Sequence, residues 1–226
     1  MTAFTTEKID VEPWFDMELF MGVSQETRLG GDVMDRFMTL WKNWLPHLTV
    51  KGIDTGKIKY LLVALDESVE QDVDKAWEGS PSNAFLYNAL AQTMCMAAVH
   101  AVIPEVQDAG CAPAPKPTAT LREALEAEGI PYSNDKDPIL SRRYAVVTHY
   151  PFKGGCEICV LQSNCPKGQG QMEATSVVLP GYEHPQQMCC GCYEIWGRER
   201  EPFPSPLSLS LQRLSTGGEA AWRAFV

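Results

Sequence analysis

A chain of 226 residues that is 45% hydrophobic and 21% charged can bury a sizeable core, which excludes an intrinsically disordered protein. The net charge of −10 is uneven, because residues 1–110 hold 8 Lys and Arg against 17 Asp and Glu while residues 111–226 hold 11 against 12. Phosphate backbones are bound by clustered Lys and Arg that release counterions, so this balance argues against nucleic acid as a partner.

In chain order, residues 1–30 carry no strong period, though Trp14, Phe15, Leu19 and Phe20 offer apolar anchors. From Asp32, a candidate N-cap, the residues Val33, Phe37, Leu40, Trp41 and Trp44 recur at helical spacing up to Pro46. That pattern predicts a core-packed helix over 32–45. The run Lys59 to Asp66 is apolar and uninterrupted, which suits either a buried strand or the start of a helix continuing through Trp77. Asp66 and Glu67 at its end read as helix-capping charges. After the break Gly79-Ser80-Pro81-Ser82, an apolar helix is expected from Ser82 as cap to about Ile103. Leu86, Leu90, Ala97 and Ala101 share one face of it. Asn88, Gln92 and Cys95 lie on another, either as a half-exposed flank with a buried thiol or as the lining of a ligand pocket.

The run Gly110-Cys111-Ala112-Pro113-Ala114-Pro115-Lys116-Pro117 is stiff and extended, and it marks a candidate domain boundary. Thr120 with Glu123 forms a capping box for a short helix that stops at Gly129. Tyr144 to Tyr150 reads as a strand leading to the first cysteine cluster, and Val177–Leu179 and Leu207–Leu211 as further short strands. The expected fold class is therefore α+β. An acidic, mainly helical part over 1–112 precedes a smaller cysteine-rich, mixed α/β metal-binding module over 113–226.

The chemistry is concentrated in that module. Of 8 cysteines, Cys156, Cys159, Cys165, Cys189, Cys190 and Cys192 fall within 37 residues, whereas Cys95 and Cys111 stand apart. The start, Met1-Thr2-Ala3-Phe4 followed by acidic residues, has no basic and apolar leader, and no run approaches the ~18 consecutive apolar residues of a membrane span. The expected setting is the cytoplasm, away from membranes, where thiols stay reduced and clustered cysteines serve as metal ligands or redox groups. Cys156-x2-Cys159-x5-Cys165-Pro166 follows Gly154-Gly155, which let the backbone approach a bound centre closely. Iron–sulfur clusters take cysteine thiolates, usually four, with one often remote in sequence. Cys189-Cys190-Gly191-Cys192 can supply the remote ligand, and Cys192, freed to turn inward by Gly191, is the favoured one.

Over the ten residues from Cys156 to Cys165 the triplet resembles the iron–sulfur ligand runs of CRISPR-associated and helicase-linked exonucleases and of endonuclease III-type glycosylases. It also looks like part of the auxiliary-cluster domains of some radical enzymes. The resemblance implies a cluster and no particular activity; with Cys192 as the remote ligand, the expected centre is a four-iron four-sulfur cluster held by Cys156, Cys159, Cys165 and Cys192. A second reading pairs Cys156-x2-Cys159 with Cys189-x2-Cys192 as a structural four-cysteine zinc site in an interaction or regulatory protein. A third treats Cys189, Cys190 and Cys192 as labile thiolates that handle metal or sulfur. The leading function is redox, an electron carrier or inlet with a redox protein as partner. Lys153, Lys167, Arg198 and Arg200 surround the cysteines, where cations would stabilise an anionic site. His149 and His184 flank it as potential donors, and His47 and His100 have no partner visible in sequence. Glycine-rich phosphate loops, Gly-x-Ser-x-Gly and His-Glu-x-x-His are all missing, so no catalytic residue is assigned.

Overall fold

The computed structural model describes residues 4–133 and 139–165. Four antiparallel strands lie in sequence order across one sheet: β1 (Thr5–Lys8), β2 (Leu48–Asp54), β3 (Lys59–Leu65) and β4 (Ala145–His149). Six α-helices accompany it: α1 (Met17–Ser24), α2 (Gly31–Trp44), α3 (Glu67–Gly79), α4 (Pro81–Val102), α5 (Glu105–Ala109) and α6 (Ala119–Ala127). The described part of the fold is thus mixed α+β. The cysteine-rich module beyond Cys165 lies outside it, as do the strands expected at 177–179 and 207–211.

The apolar run over 59–66 is a strand, because β3 is inside the sheet and covered on both faces. Leu61, Val63 and Leu65 join the core under α4, while Tyr60, Leu62 and Ala64 join a second core under α6. A strand wet on one face would alternate; one dry on both need not. Between β2 and β3 the chain reverses over residues 55–58. Gly56 takes φ +76° there, and Asp54 Oδ1 accepts its N–H at 2.7 Å. That left-handed step is where glycine is needed. Asp66 then ends the strand and caps α3, its side chain accepting the Ser68 N–H at 2.9 Å, so the helix through Trp77 is a separate element that starts after the run.

The predicted helix over 32–45 is α2, with two differences. It starts at Gly31 with Gly30 as cap and Asp32 in the first turn, where a carboxylate complements the helix dipole. It leaves through a single 3₁₀ turn, Leu45–His47, that accommodates Pro46. The cap of α4 is Ser80, not Ser82, with Pro81 at the first helical position where its missing N–H costs nothing. The cap of α6 is Thr118, whose hydroxyl accepts the Leu121 N–H at 3.3 Å, so Thr120 and Glu123 form no capping box.

Helix α4, 22 residues long, has the length and composition to cross a membrane. In the fold it is an axle: residues 88–99 are buried without exception by α1, α2, α3, α5 and the strands β3 and β4. The expected half-exposed flank is therefore absent, and Asn88, Gln92 and Cys95 are all inside. Phe15, Leu19 and Phe20 take core places, with Phe20 centred 4.9 Å from Phe37 and Phe15 5.3 Å from Trp41. Trp14 does not, being 71% exposed.

The proline run does not separate two sheets. Strand β4 lies beyond it and pairs with β3, which precedes it, Tyr60 opposite His149 and Ala64 opposite Ala145. The run itself is packed, since Cys111, Ala112, Pro113 and Pro115 are buried and Pro113 O accepts the Thr148 hydroxyl at 3.0 Å.

Candidate metal centre and the polar groups around it

Strand β4 delivers the chain through Tyr150-Pro151, a cis bond, to the cysteine loop. Two one-turn 3₁₀ helices follow, Cys156–Ile158 and Gln162–Asn164. Backbone bonds pass from turn to turn at three-residue steps: Cys159 N–H to Cys156 O at 3.1 Å, Gln162 N–H to Cys159 O at 3.2 Å, Cys165 N–H to Gln162 O at 3.4 Å. All three cysteines therefore belong to one continuous wound segment. The Val160 N–H donates to Ala114 O at 3.0 Å, which fastens this segment to the proline run. Cys159 is buried, and Cys156 and Cys165 are half-buried.

The glycines ahead of the triplet border Glu157. Gly154 has φ +53°, and a Cβ there would collide with the Glu157 carboxylate. That carboxylate turns back to accept the Gly155 N–H at 2.9 Å, and this bond holds its carboxyl below the ordinary range. The space the glycines open is thus taken by Glu157. Among the described residues, no three His, Cys, Asp or Glu side chains gather as a metal-holding group. Cys189, Cys190 and Cys192, and with them the favoured fourth ligand, lie outside the described residues, as do His184, Lys167, Arg198 and Arg200. Lys153 is exposed at the entrance to the loop.

The polar stripe of α4 is satisfied mostly by one residue. The Tyr144 hydroxyl donates to Asn88 Oδ1 at 2.9 Å, and Cys95 Sγ donates to Tyr144 O at 3.5 Å. Burial pushes the Tyr144 phenol well up, against the opposing effect of Arg143. Gln92 Nε2 is buried with no hydrogen-bond partner. Between α1, α4 and α5 a cleft of about 100 Å³ is lined by Asp16, Leu19, Met96, His100 and Gln107. Burial lowers the His100 pKa there, Asp16 opposing it.

His47, silent in sequence, meets Asp66 and Ser68. Its Nδ1 lies 2.6 Å from Asp66 Oδ2 and 3.2 Å from Ser68 Oγ, while the Asp66 N–H donates to His47 O at 3.1 Å. Serine, histidine and aspartate in contact suggest a nucleophilic triad, but that chemistry needs Asp and Ser on opposite ring nitrogens. Here both touch Nδ1, so the trio is a helix cap. Asp66 is a capping charge, as its position at the strand end suggested.

His149 closes β4 with its ring against Tyr60, centroids 5.4 Å apart. Its Nδ1 is buried without a partner, as is the hydroxyl of Tyr132. Tyr132 gives no sequence signal, since a tyrosine after Ile130-Pro131 reads as part of a turn.

No family model, curated protein or solved structure matches this chain.

Proposed function

We propose that the protein is a cytoplasmic iron–sulfur protein in which Cys156, Cys159, Cys165 and one of Cys189, Cys190 and Cys192, with Cys192 favoured, hold a four-iron four-sulfur cluster with an electron-transfer or redox accessory role. The observation that carries the reading is the three-residue hydrogen-bond stepping from Cys156 through Cys159 and Gln162 to Cys165. It keeps three thiols on one short segment that is joined to the sheet through β4 and fastened at its middle to the proline run through Val160. Donor chemistry also fits, since soft thiolates favour iron–sulfur and zinc centres. The described residues do not by themselves gather a ligand set. When bound, the cluster would supply one-electron chemistry, and a redox protein would be its partner. This chain's own contribution would be to hold the thiols and, through Lys153, to place a cation near an anionic site.

The test is metal analysis of protein purified without oxygen. We expect a brown protein with about four iron and four acid-labile sulfides per chain. A colourless protein holding one zinc would overturn the cluster and support the four-cysteine zinc site. Metal that exchanges freely, with reactive thiols, would support transient metal or sulfur handling instead.

A further inference from the structure

The cleft between α1, α4 and α5 holds about 100 Å³ of free space, room for about three groups the size of a water molecule. Leu19 and Met96, both buried, form its floor, and the exposed Glu18 and Gln107 stand at its mouth. The half-buried Asp16 and His100 line it as well. Asp16 is fixed as the N-cap of α1, where its Oδ1 accepts the Leu19 N–H at 3.1 Å. His100 belongs to the last turn of α4, the helix at the centre of the main core. These polar heads have hydrogen-bonding capacity that the fold does not use. Asp16 Oδ2, the Glu18 carboxylate, the His100 ring and the Gln107 amide make no hydrogen bond or ion pair with any described residue.

The charge balance of the cleft favours a cation. Asp16 and Glu18 bring two negative charges, and no Lys or Arg is among the lining residues. The amino end of α1 counters with only about half a positive charge, while the carboxyl end of α4 adds about half a negative one. Burial lowers the His100 pKa, with Asp16 opposing it, so near pH 7 the ring is neutral and keeps an acceptor nitrogen. Among the described residues no three His, Cys, Asp or Glu side chains gather to hold a metal. The apolar floor of Leu19 and Met96 suits carbon, so the cation that fits is an organic one.

We propose that this cleft binds the primary ammonium group of a small amine. Asp16 Oδ2 and the His100 ring each accept one of its N–H groups, and Glu18 adds attraction from the mouth. Leu19 and Met96 pack against the carbon that carries the nitrogen. The site uses none of the cysteines, so it stands or falls apart from the metal centre.

The experiment is a titration of the full chain with ethylammonium chloride, run against tetramethylammonium chloride and sodium chloride at equal ionic strength. Binding is followed by the chemical shifts of the His100 ring, the Met96 methyl group and the amides of residues 17–19. We expect saturable shifts with ethylammonium that tetramethylammonium, which carries the charge but no N–H, does not reproduce. Asp16→Asn and His100→Phe should each weaken binding about 10-fold, the worth of one hydrogen bond to a charged group. Asparagine caps a helix as well as aspartate does, so Asp16→Asn should leave the fold intact, as its unfolding midpoint will report. Linear shifts equal to those in sodium chloride overturn the site. So does equal binding of tetramethylammonium, which would reduce the effect to general charge attraction. Unchanged affinity in both variants overturns it too. Cys156→Ser should keep amine binding while losing metal, so failure of either proposal leaves the other readable.

Discussion

Tyr144 and Gln92 show how differently two buried polar groups can be treated on one helix–strand interface. The Tyr144 hydroxyl has Asn88 as its acceptor. Asn88→Ala should therefore leave that hydroxyl orphaned and cost about 1–3 kcal/mol, read as a lowered urea midpoint at unchanged slope. Gln92 Nε2 has no such partner, so Gln92→Met, similar in size and apolar, should raise the midpoint by up to about 1 kcal/mol of stability. Neither effect could be ranked from sequence. Periodicity placed Asn88, Gln92 and Cys95 together on α4, but the partner that separates satisfied from unsatisfied is Tyr144, 56 residues from Asn88. Among the cysteines, Cys156→Ser, Cys159→Ser and Cys165→Ser should each abolish metal loading. Cys95→Ala should not, because its thiol bonds Tyr144 inside the main core. Full metal occupancy in Cys165→Ser would remove the triplet as the ligand set.

Helices and strands were legible wherever their signal was local. The periodic α2 and α4 and the strand before the cysteines emerged from spacing, with ends displaced by one or two residues at the caps, whereas the apolar run of β3 suited a strand or a helix equally and only its burial on both faces decides it. Elements β1, β2 and α1 were not legible. β1 has four exposed residues, and β2 mixes Lys51 and Gly52 into its run; each is a strand only because a neighbour supplies its hydrogen bonds. The capping of α3 also yields a pH dependence. Asp66 loses some ease of ionisation to burial, but the Ser68 and His47 hydrogen bonds outweigh that and lower its pKa. A lowered carboxylate pKa contributes stability that is present above the unfolded value near 4 and lost as pH falls through the folded one. Asp66→Asn should therefore flatten the acid limb of stability below about pH 4 while changing little at pH 7. An unchanged acid limb would show that the cap does not depend on charge.

Taken as a whole, the described molecule is a sheet with two cores, and the second half of the chain is needed for both. Helix α6 covers one face, and β4 completes the edge next to β3. A fragment ending at residue 112 would leave Tyr60, Leu62 and Ala64 bare on one side and β3 with only β2 beside it. We expect it to fail to fold, with collapsed amide dispersion in NMR spectra; a well-dispersed spectrum would restore the proline run as a true boundary. The expectation about nucleic acid also belongs to this scale. With 17 acidic against 8 basic residues over 1–110, submicromolar binding to DNA or RNA at moderate salt would contradict the charge argument.

Strand β1 has one more consequence. It consists of Thr5, Thr6, Glu7 and Lys8, all exposed, and it shields the backbone of β2 from Asp54 to Lys51. Its hold on the sheet rests on those few ladder bonds and the Ile9 N–H to Val50 O bond at 2.9 Å. Were it to peel away, the uncovered rim of β2 would invite a foreign chain to add itself. Short, charged and polar, β1 is a guard against aggregation, and damage to these four residues should show first as clumping during heating or storage.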